Sequence, residues 1–191
     1  MTVRPGNVPP VPAIQVSPLA RFPGYTNLIV IAPDSTNVSV EFDGSKSYDV
    51  DDTHFNYFCY EGTNLVSTNA VTTNLLSLGT HELTLKLDDT YPLGTNSATV
   101  TVEVITPAEA VVIIIGLLDD SNLPRNRRRP LLASLGAAAA SFERGNLTSG
   151  ANQLEAFQHK VRAQVLPLAP RLADDLIRAA ETILDTVAGP R

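Results

Sequence analysis

The sequence is poor in the residues from which compact metal and redox sites are built. Its 191 residues include one cysteine, Cys59, and no tryptophan. A single cysteine excludes an intramolecular disulfide and any zinc site that needs paired cysteines. The three histidines, His54, His81 and His159, lie far apart and form no HExxH pair. The sequence therefore excludes an HExxH metalloprotease and a disulfide-stabilised scaffold.

Long apolar runs and catalytic motifs are also missing. The longest run, Ala110–Leu118, would span only about half of a bilayer core as a helix, so we expect no membrane insertion. The first residues lack the apolar segment of a signal peptide, and any secretion signal is expected outside this chain. There is no GxSxG, no phosphate-binding loop and no Cys–His pair. We therefore predict that the protein is not an enzyme.

Charge is distributed unevenly along the chain. Residues 1–120 hold 4 basic and 14 acidic side chains, a net of −10, whereas residues 121–191 hold 10 basic and 6 acidic ones, a net of +4. Opposite signs predict two domains with different surfaces, and the total of −6 argues against a nucleic-acid partner. Seven of the 14 prolines fall within residues 1–33, which predicts an extended Pro-rich arm over residues 1–20 that forms part of the first strand.

The first half has the pattern of an all-β Greek-key sandwich. In Glu82–Leu87, leucines alternate with polar residues, which is typical of a strand with one face in a core. Turn residues such as Asp43, Gly44 and Gly62 separate the runs. Short strands spaced by turns over about a hundred residues are typical of a sandwich. The predicted strands are Asn27–Ile31, Val38–Phe42, Phe55–Cys59, Glu82–Leu87 and Ala98–Val104.

Three motifs follow one another in a fixed order within this half. They are Val40–Asp52 (VEFDGSKSYDVDD), Gly79–Asp89 (GTHELTLKLDD) and Ser97–Val104 (SATVTVEV). Together with Asn7–Pro10 (NVPP), they resemble the motifs of the polycystic-kidney-disease (PKD) domain. The resemblance covers residues 7–106 and implies an immunoglobulin-like sandwich.

Cys59 stands where the PKD family usually has tryptophan. A smaller side chain at that point implies a repacked core. An apolar neighbourhood raises the pKa of a thiol and makes it inert, so we expect Cys59 to be a buried core residue.

The resemblance also implies a calcium site, because some PKD domains hold calcium at one pole of the sandwich. Carried over by position, the ligands would be Asn7, Asp49, Asp51 and Asp89. Calcium accepts six to eight oxygens in loose arrangements, which suits such a cluster. Asp52 replaces the usual glycine of the motif. The alternative is a solvated acidic loop whose aspartates cap turns.

The second half has the apolar period of a small helical bundle. Thr106 and Glu109 have the spacing of a capping box, and Pro107 suits the first helical position. A helix is therefore expected there despite the β-branched run Val111–Ile115, and its all-round apolarity predicts deep burial. Pro130 is placed near the start of the second helix. Ser149 is the expected cap of the third. The remaining helices are predicted around Leu131–Phe142, Leu154–Val165 and Leu172–Val187.

Segments of this half resemble the FIMAH domain, a small helical module of bacterial secreted and surface proteins. They are Leu131–Ala138 (LLASLGAA), Gln153–Phe157 (QLEAF) and Ala173–Ile183 (ADDLIRAAETI). The resemblance covers residues 108–188 of a predicted domain at 107–191. It implies an extracellular or cell-surface location and brings no catalytic residues.

Four arginines form a basic cluster that the sequence places in the loop before the second bundle helix: Arg125, Arg127, Arg128 and Arg129. A solvated loop is one interpretation. The other is docking onto an acidic surface, which the β-domain offers.

These observations predict a non-catalytic extracellular or cell-surface protein, with a β-sandwich spacer or adhesive module and a helical docking module. Its partner would be a protein, a matrix component or another copy of itself. One alternative is a self-assembling filament subunit, joined by head-to-tail contacts or by strand donation from the arm Val8–Val16. Another is the accessory C-terminal region of a secreted hydrolase.

Overall fold

The computed structural model describes residues 6–51, 54–90 and 94–189. Over these residues a β region of two sheets precedes a bundle of four helices, which confirms the predicted fold class. The strands are β1 (Gln15–Ser17), β2 (Leu28–Ile31), β3 (Asn37–Asp43), β4 (Asn56–Glu61), β5 (Asn64–Ser67), β6 (Val71–Ser77), β7 (Gly79–Asp88) and β8 (Thr95–Ile105). The helices are α1 (Pro107–Asp119), α2 (Arg125–Glu143), α3 (Leu147–Gln164) and α4 (Pro170–Ala188).

The strands form a three-stranded sheet, in the order β1-β3-β6, and a five-stranded sheet, in the order β2-β8-β7-β4-β5. All five strands that the sequence predicts are present. Strand β1 lies within the arm that the sequence predicts to form part of the first strand, whereas the sequence did not predict β5 and β6. Antiparallel pairing sets Asn56 opposite Asp88 and Glu61 opposite Leu83 in the β4–β7 pair.

Apolar and polar residues alternate along β7, and the apolar ones contribute to the core of the β region. Leu83, Leu85 and Leu87 are buried, whereas Lys86 between them is exposed, as the period-two pattern predicts. Val40 and Phe42 of β3 are buried in the same alternating way.

Contacts divide the chain into two compact units. The β unit contains the described residues up to Pro18 and the segment Ser39–Glu103, and the helical unit contains Leu19–Val38 and the chain from Val104 onward. Within the helical unit, the N–H of Ala32 donates to the Ile105 carbonyl at 2.9 Å, which joins the end of β2 to the end of β8. The domain boundary near residue 106 stays a prediction.

Helix α1 begins with the predicted capping box. The Glu109 N–H donates to Thr106 Oγ1 at 3.1 Å, and the Thr106 N–H donates to Glu109 Oε2 at 2.8 Å. The expected deep burial is found on one face of α1, and Ile113, Ile115 and Leu117 beside that face are partly buried against the core. Val111 and Ile114 are fully buried, whereas Val112 is 57% exposed.

Two predicted helix starts need correction. Helix α2 begins at Arg125, so the arginines lie in its first turns instead of a loop, and Pro130 lies inside the helix. Helix α3 is capped by Asn146, whose Oδ1 accepts the Ser149 N–H at 3.0 Å. Ser149 is thus the donor at the third helical position. Asn and Ser are both favoured capping residues, so the sequence alone offers two candidate caps three residues apart.

The core of the helical unit combines the bundle with the segment Leu19–Val38. Ala20, Phe22, Ile29 and Ile31 belong to the same buried cluster as the apolar faces of α1 to α4. In the described part of the chain, no helix is long and apolar enough to cross a membrane.

Candidate functional site

The predicted calcium residues lie at one end of the β unit, where they make hydrogen bonds within the chain. Asn7 Nδ2 donates to Asp89 Oδ2 at 2.8 Å, and Asp89 is only 2% exposed. The Asp89 N–H also donates to the Gly94 carbonyl at 3.0 Å. The amide of Asn7 therefore gives the buried Asp89 side chain a hydrogen-bond partner, which offsets the cost of burying a polar group.

Asp49 and Asp51 are positioned by a short turn in the same unit. The Asp51 N–H donates to Asp49 Oδ1 at 3.1 Å, and Asp51 Oδ2 accepts the Val8 N–H at 3.2 Å. Over residues 6–51, 54–90 and 94–189, no three His, Cys, Asp or Glu side chains are grouped to hold a metal ion. Asp52 lies outside the described residues. Calcium also takes amide and carbonyl oxygens, so the calcium site stays a prediction.

Further hydrogen bonds attach the Pro-rich arm to the β unit of its own chain. Val11 and Tyr48 exchange backbone hydrogen bonds at 2.7 and 3.2 Å. The Ala13 N–H donates to Ser47 Oγ at 3.0 Å, and β1 then pairs with β3. Since these backbone groups are paired within the chain, donation of the arm to a neighbouring copy would first have to break them.

Cys59 is 1% exposed, in agreement with its predicted core position. Burial raises the pKa of its thiol, which disfavours the reactive thiolate. Its Sγ donates to the Asn69 carbonyl at 3.5 Å. It also lines a small cavity of about 10 Å³ together with Val40, Phe42 and Leu83. The cysteine is a core residue beside a gap in the packing.

The arginine cluster contains one anchored and three exposed side chains. Arg128 Nη1 donates to the Asp119 carbonyl at 3.0 Å, and its Nε lies 3.9 Å from Asp119 Oδ1. It therefore covers the C-terminal end of α1, whose own last turn holds no basic residue. Arg125, Arg127 and Arg129 are exposed, and no ion pair joins them to the rest of the described chain.

A groove of about 660 Å³ lies within the helical unit, between residues 19–29 and helix α4. Its lining includes Tyr25, Asn27, Asp175 and Arg178. No pattern in the sequence predicted it. The only local signal in the sequence is the Pro23–Gly24 turn before Tyr25. The position of α4 beside that turn is a property of the fold.

Comparison with protein families and with curated proteins gives no match. Among solved structures, the chain is similar to a nucleoside hydrolase-related hypothetical protein from Saccharophagus degradans that is associated with carbohydrate metabolism. The identity is 21%, the TM-score is 0.32, and the match covers 52% of this chain but only 26% of that one. A TM-score this low does not establish a shared fold. The PKD and FIMAH resemblances stay predictions.

Proposed function

We propose that this chain is a non-catalytic interaction protein of the cell exterior, in which the β unit acts as a spacer or adhesive module and the helical unit docks onto an anionic partner surface. The observation that carries the proposal is the exposed trio Arg125, Arg127 and Arg129 at the start of α2.

The position of these arginines is unfavourable for the helix itself. The N-terminal end of a helix carries partial positive charge, and a cation in the first turn, where Arg125 and Arg127 lie, costs about 0.3–1 kcal/mol at low salt. The first turn of α2 contains no acidic residue, and its cap, Pro124, makes no side-chain hydrogen bond. An anionic surface placed over the trio would offset this repulsion.

Self-assembly is the second candidate, because the chain itself offers an anionic surface. By sequence, the β unit holds 3 basic and 10 acidic side chains, a net of −7, whereas the helical unit holds 11 basic and 10 acidic ones, a net of +1. The positive charge of the helical unit is thus a local feature of the arginine trio. Contact between this trio and the β unit of another copy would be head-to-tail.

A variant in which Arg125, Arg127 and Arg129 are all replaced by Gln tests the proposal. Binding to a dextran sulfate surface, measured beside plain dextran, should weaken by at least about tenfold, since three charges that attract the polyanion are gone. The matched control replaces Lys86, Arg162 and Arg171 by Gln and should lose far less.

The stability of the variant separates binding from folding. Because cations leave the N-terminal end of α2, the melting temperature should stay the same or rise. Equal affinities for the trio variant and its control would contradict the docking surface. Light scattering at low salt decides between the two candidates, and monomers at high concentration would contradict self-assembly.

A further inference from the structure

The groove wall formed by residues 19–29 is held in shape by the chain itself. The Tyr25 N–H donates to the Phe22 carbonyl at 3.1 Å, which closes a four-residue turn. Pro23 and Gly24 occupy its central positions, and Gly24 has φ +78°, a conformation that favours glycine at the third position of such a turn. Tyr25 follows this turn directly, and its side chain is partly exposed.

The base of the same segment is fastened at two further points. The Ala20 N–H donates to the Ile29 carbonyl at 2.7 Å. Thr182 Oγ1 of α4 lies 3.3 Å from the Arg21 carbonyl and 3.1 Å from the Arg178 carbonyl, so its single proton is shared between the two acceptors. Phe22 is buried in the core of the unit. The two walls of the groove are therefore connected, and a ligand would find the site largely formed.

The ring of Tyr25 is partly exposed, and contact with Phe22 fixes its orientation. Its exposed fraction is 46%, and its ring lies 6.5 Å from that of Phe22 at an interplanar angle of 70°. An edge-to-face pair of this kind restrains the exposed ring. A restrained aromatic ring loses little conformational entropy when a flat, partly apolar ligand covers it.

The opposite wall, on α4, presents an acceptor and a donor side by side. Asp175 Oδ1 lies 3.9 Å from Arg178 Nη2, and both side chains are partly exposed. A carboxylate only accepts hydrogen bonds, and a guanidinium only donates them. A hydroxyl group does both, so neighbouring hydroxyls on one molecule can satisfy the two side chains together.

We propose that this groove binds a carbohydrate, with the apolar face of a sugar ring on Tyr25 and its hydroxyls on Asp175 and Arg178. The proposal rests on the proposed function as a binding module and adds the ligand class. The volume of about 660 Å³ lies within the usual range for small-molecule sites, roughly 300–1,000 Å³. A lining with both an aromatic ring and paired polar groups suits an amphipathic ligand better than a lipid tail.

The test is an NMR titration of the ¹⁵N-labelled protein with cellohexaose, xylohexaose, chitohexaose, mannohexaose and hexagalacturonate at millimolar concentrations. At least one should shift the amides of residues 19–29 and of Asp175 and Arg178. Tyr25→Ala should weaken that binding by about tenfold, whereas Tyr25→Phe, which keeps the ring, should stay within about twofold.

The matched control is Tyr48→Ala, which removes a tyrosine of similar exposure, 55%, from the β unit. It should leave the affinity unchanged. The inference is overturned if none of the five oligosaccharides shifts the groove, if Tyr25→Ala binds as well as the parent, or if inorganic phosphate or an acidic peptide shifts the groove and the sugars do not. Dextran sulfate binding by the same samples reports the arginine trio separately, so loss of one proposal is distinguishable from loss of the other.

Discussion

The β unit and the helical unit use polar side chains in different ways. In the β unit, polar groups join residues far apart in sequence. Asn7 donates to Asp89. Glu61 Oε2 accepts from Asn74 Nδ2 at 2.6 Å, and Glu61 Oε1 lies 2.7 Å from His81 Nδ1. In the helical unit, the polar groups of Thr106 and Asn146 act within one turn of their own position, as helix caps, although Lys160 Nζ of α3 also donates to Ser134 Oγ of α2 at 2.6 Å.

This difference follows from backbone geometry. A helix satisfies its interior backbone groups locally, and only its ends need side chains. Sheets leave connecting loops with unpaired groups, and distant side chains must be brought to them. We therefore expect the helical unit to be most sensitive to steric changes where helices meet, and the β unit to be most sensitive to loss of long-range polar contacts.

The largest expected effect comes from Gly150→Ala in the helical unit. A Cβ at Gly150 would overlap Phe142 Cε1, and Phe142 is 1% exposed, so its ring has no free space to enter. We expect a loss of about 3 kcal/mol in unfolding free energy, measured by urea denaturation. Hydrogen exchange should show the loss in the helical unit.

The matched control for this substitution is Gly136→Ala, since Gly136 lies inside α2 and a Cβ there would have no neighbouring heavy atom within 4 Å. It should gain up to about 1 kcal/mol from helix propensity. Equal loss of amide protection in both units after Gly150→Ala would contradict the expectation that the helical unit is the more sensitive to steric changes.

An intermediate effect is expected from Asp89→Ala in the β unit. The change leaves Asn7 without the carboxylate that its Nδ2 contacts, at a buried position. We expect a loss of about 2 kcal/mol, measured by thermal and urea unfolding. Asp88→Ala is the control, because Asp88 Oδ1 accepts the N–H of the nearby Thr90 in an exposed, local hydrogen bond. If both variants lost the same free energy, the importance of long-range polar contacts would be refuted.

The smallest effect concerns two turn aspartates, one in each unit. Hydrogen bonds, first from the Thr36 side chain and then from backbone N–H groups, lower the pKa of Asp34. Hydrogen bonds from the Ser45 side chain and backbone lower the pKa of Asp43 in the same way. Because the folded pKa lies below the unfolded value of about 3.9, their stabilising contribution is complete above that pH and is lost as the pH falls.

Carboxyl-detected NMR titration should find both aspartates below the ordinary value. Ser45→Ala should raise the pKa of Asp43 and leave that of Asp34 unchanged. An ordinary pKa for only one of them would show that the two units differ even in their local turns.

Much of the fold follows from local patterns. The alternation of Leu83, Leu85 and Leu87 predicts β7, and the Thr106–Glu109 capping box predicts the start of α1, because both signals act over a few residues. The start of α2 was missed for the opposite reason. Four arginines and Pro130 resemble a loop by composition, but contact of Arg128 with the end of α1 favours a helix from Arg125.

The candidate sites were predicted less completely. The PKD resemblance implies that Asn7, Asp49, Asp51 and Asp89 lie together, and in the structure Asn7 Nδ2 contacts Asp89 Oδ2. The sequence could not indicate that these groups are engaged in hydrogen bonds within the chain. The groove at Tyr25 was missed entirely, because its two walls are about 150 residues apart in sequence.

The sequence by itself determined the order of a β region followed by a bundle of three or four helices, and the uneven charge, since periodicity and composition are local properties. Tertiary structure decided that the segment Leu19–Val38 packs with the helices, and that the positive charge is a local trio in a nearly neutral unit. The physical reason is burial. The apolar side chains of Phe22, Ile29 and Ile31 leave water by joining the bundle, and no local pattern specifies which distant surface will cover them.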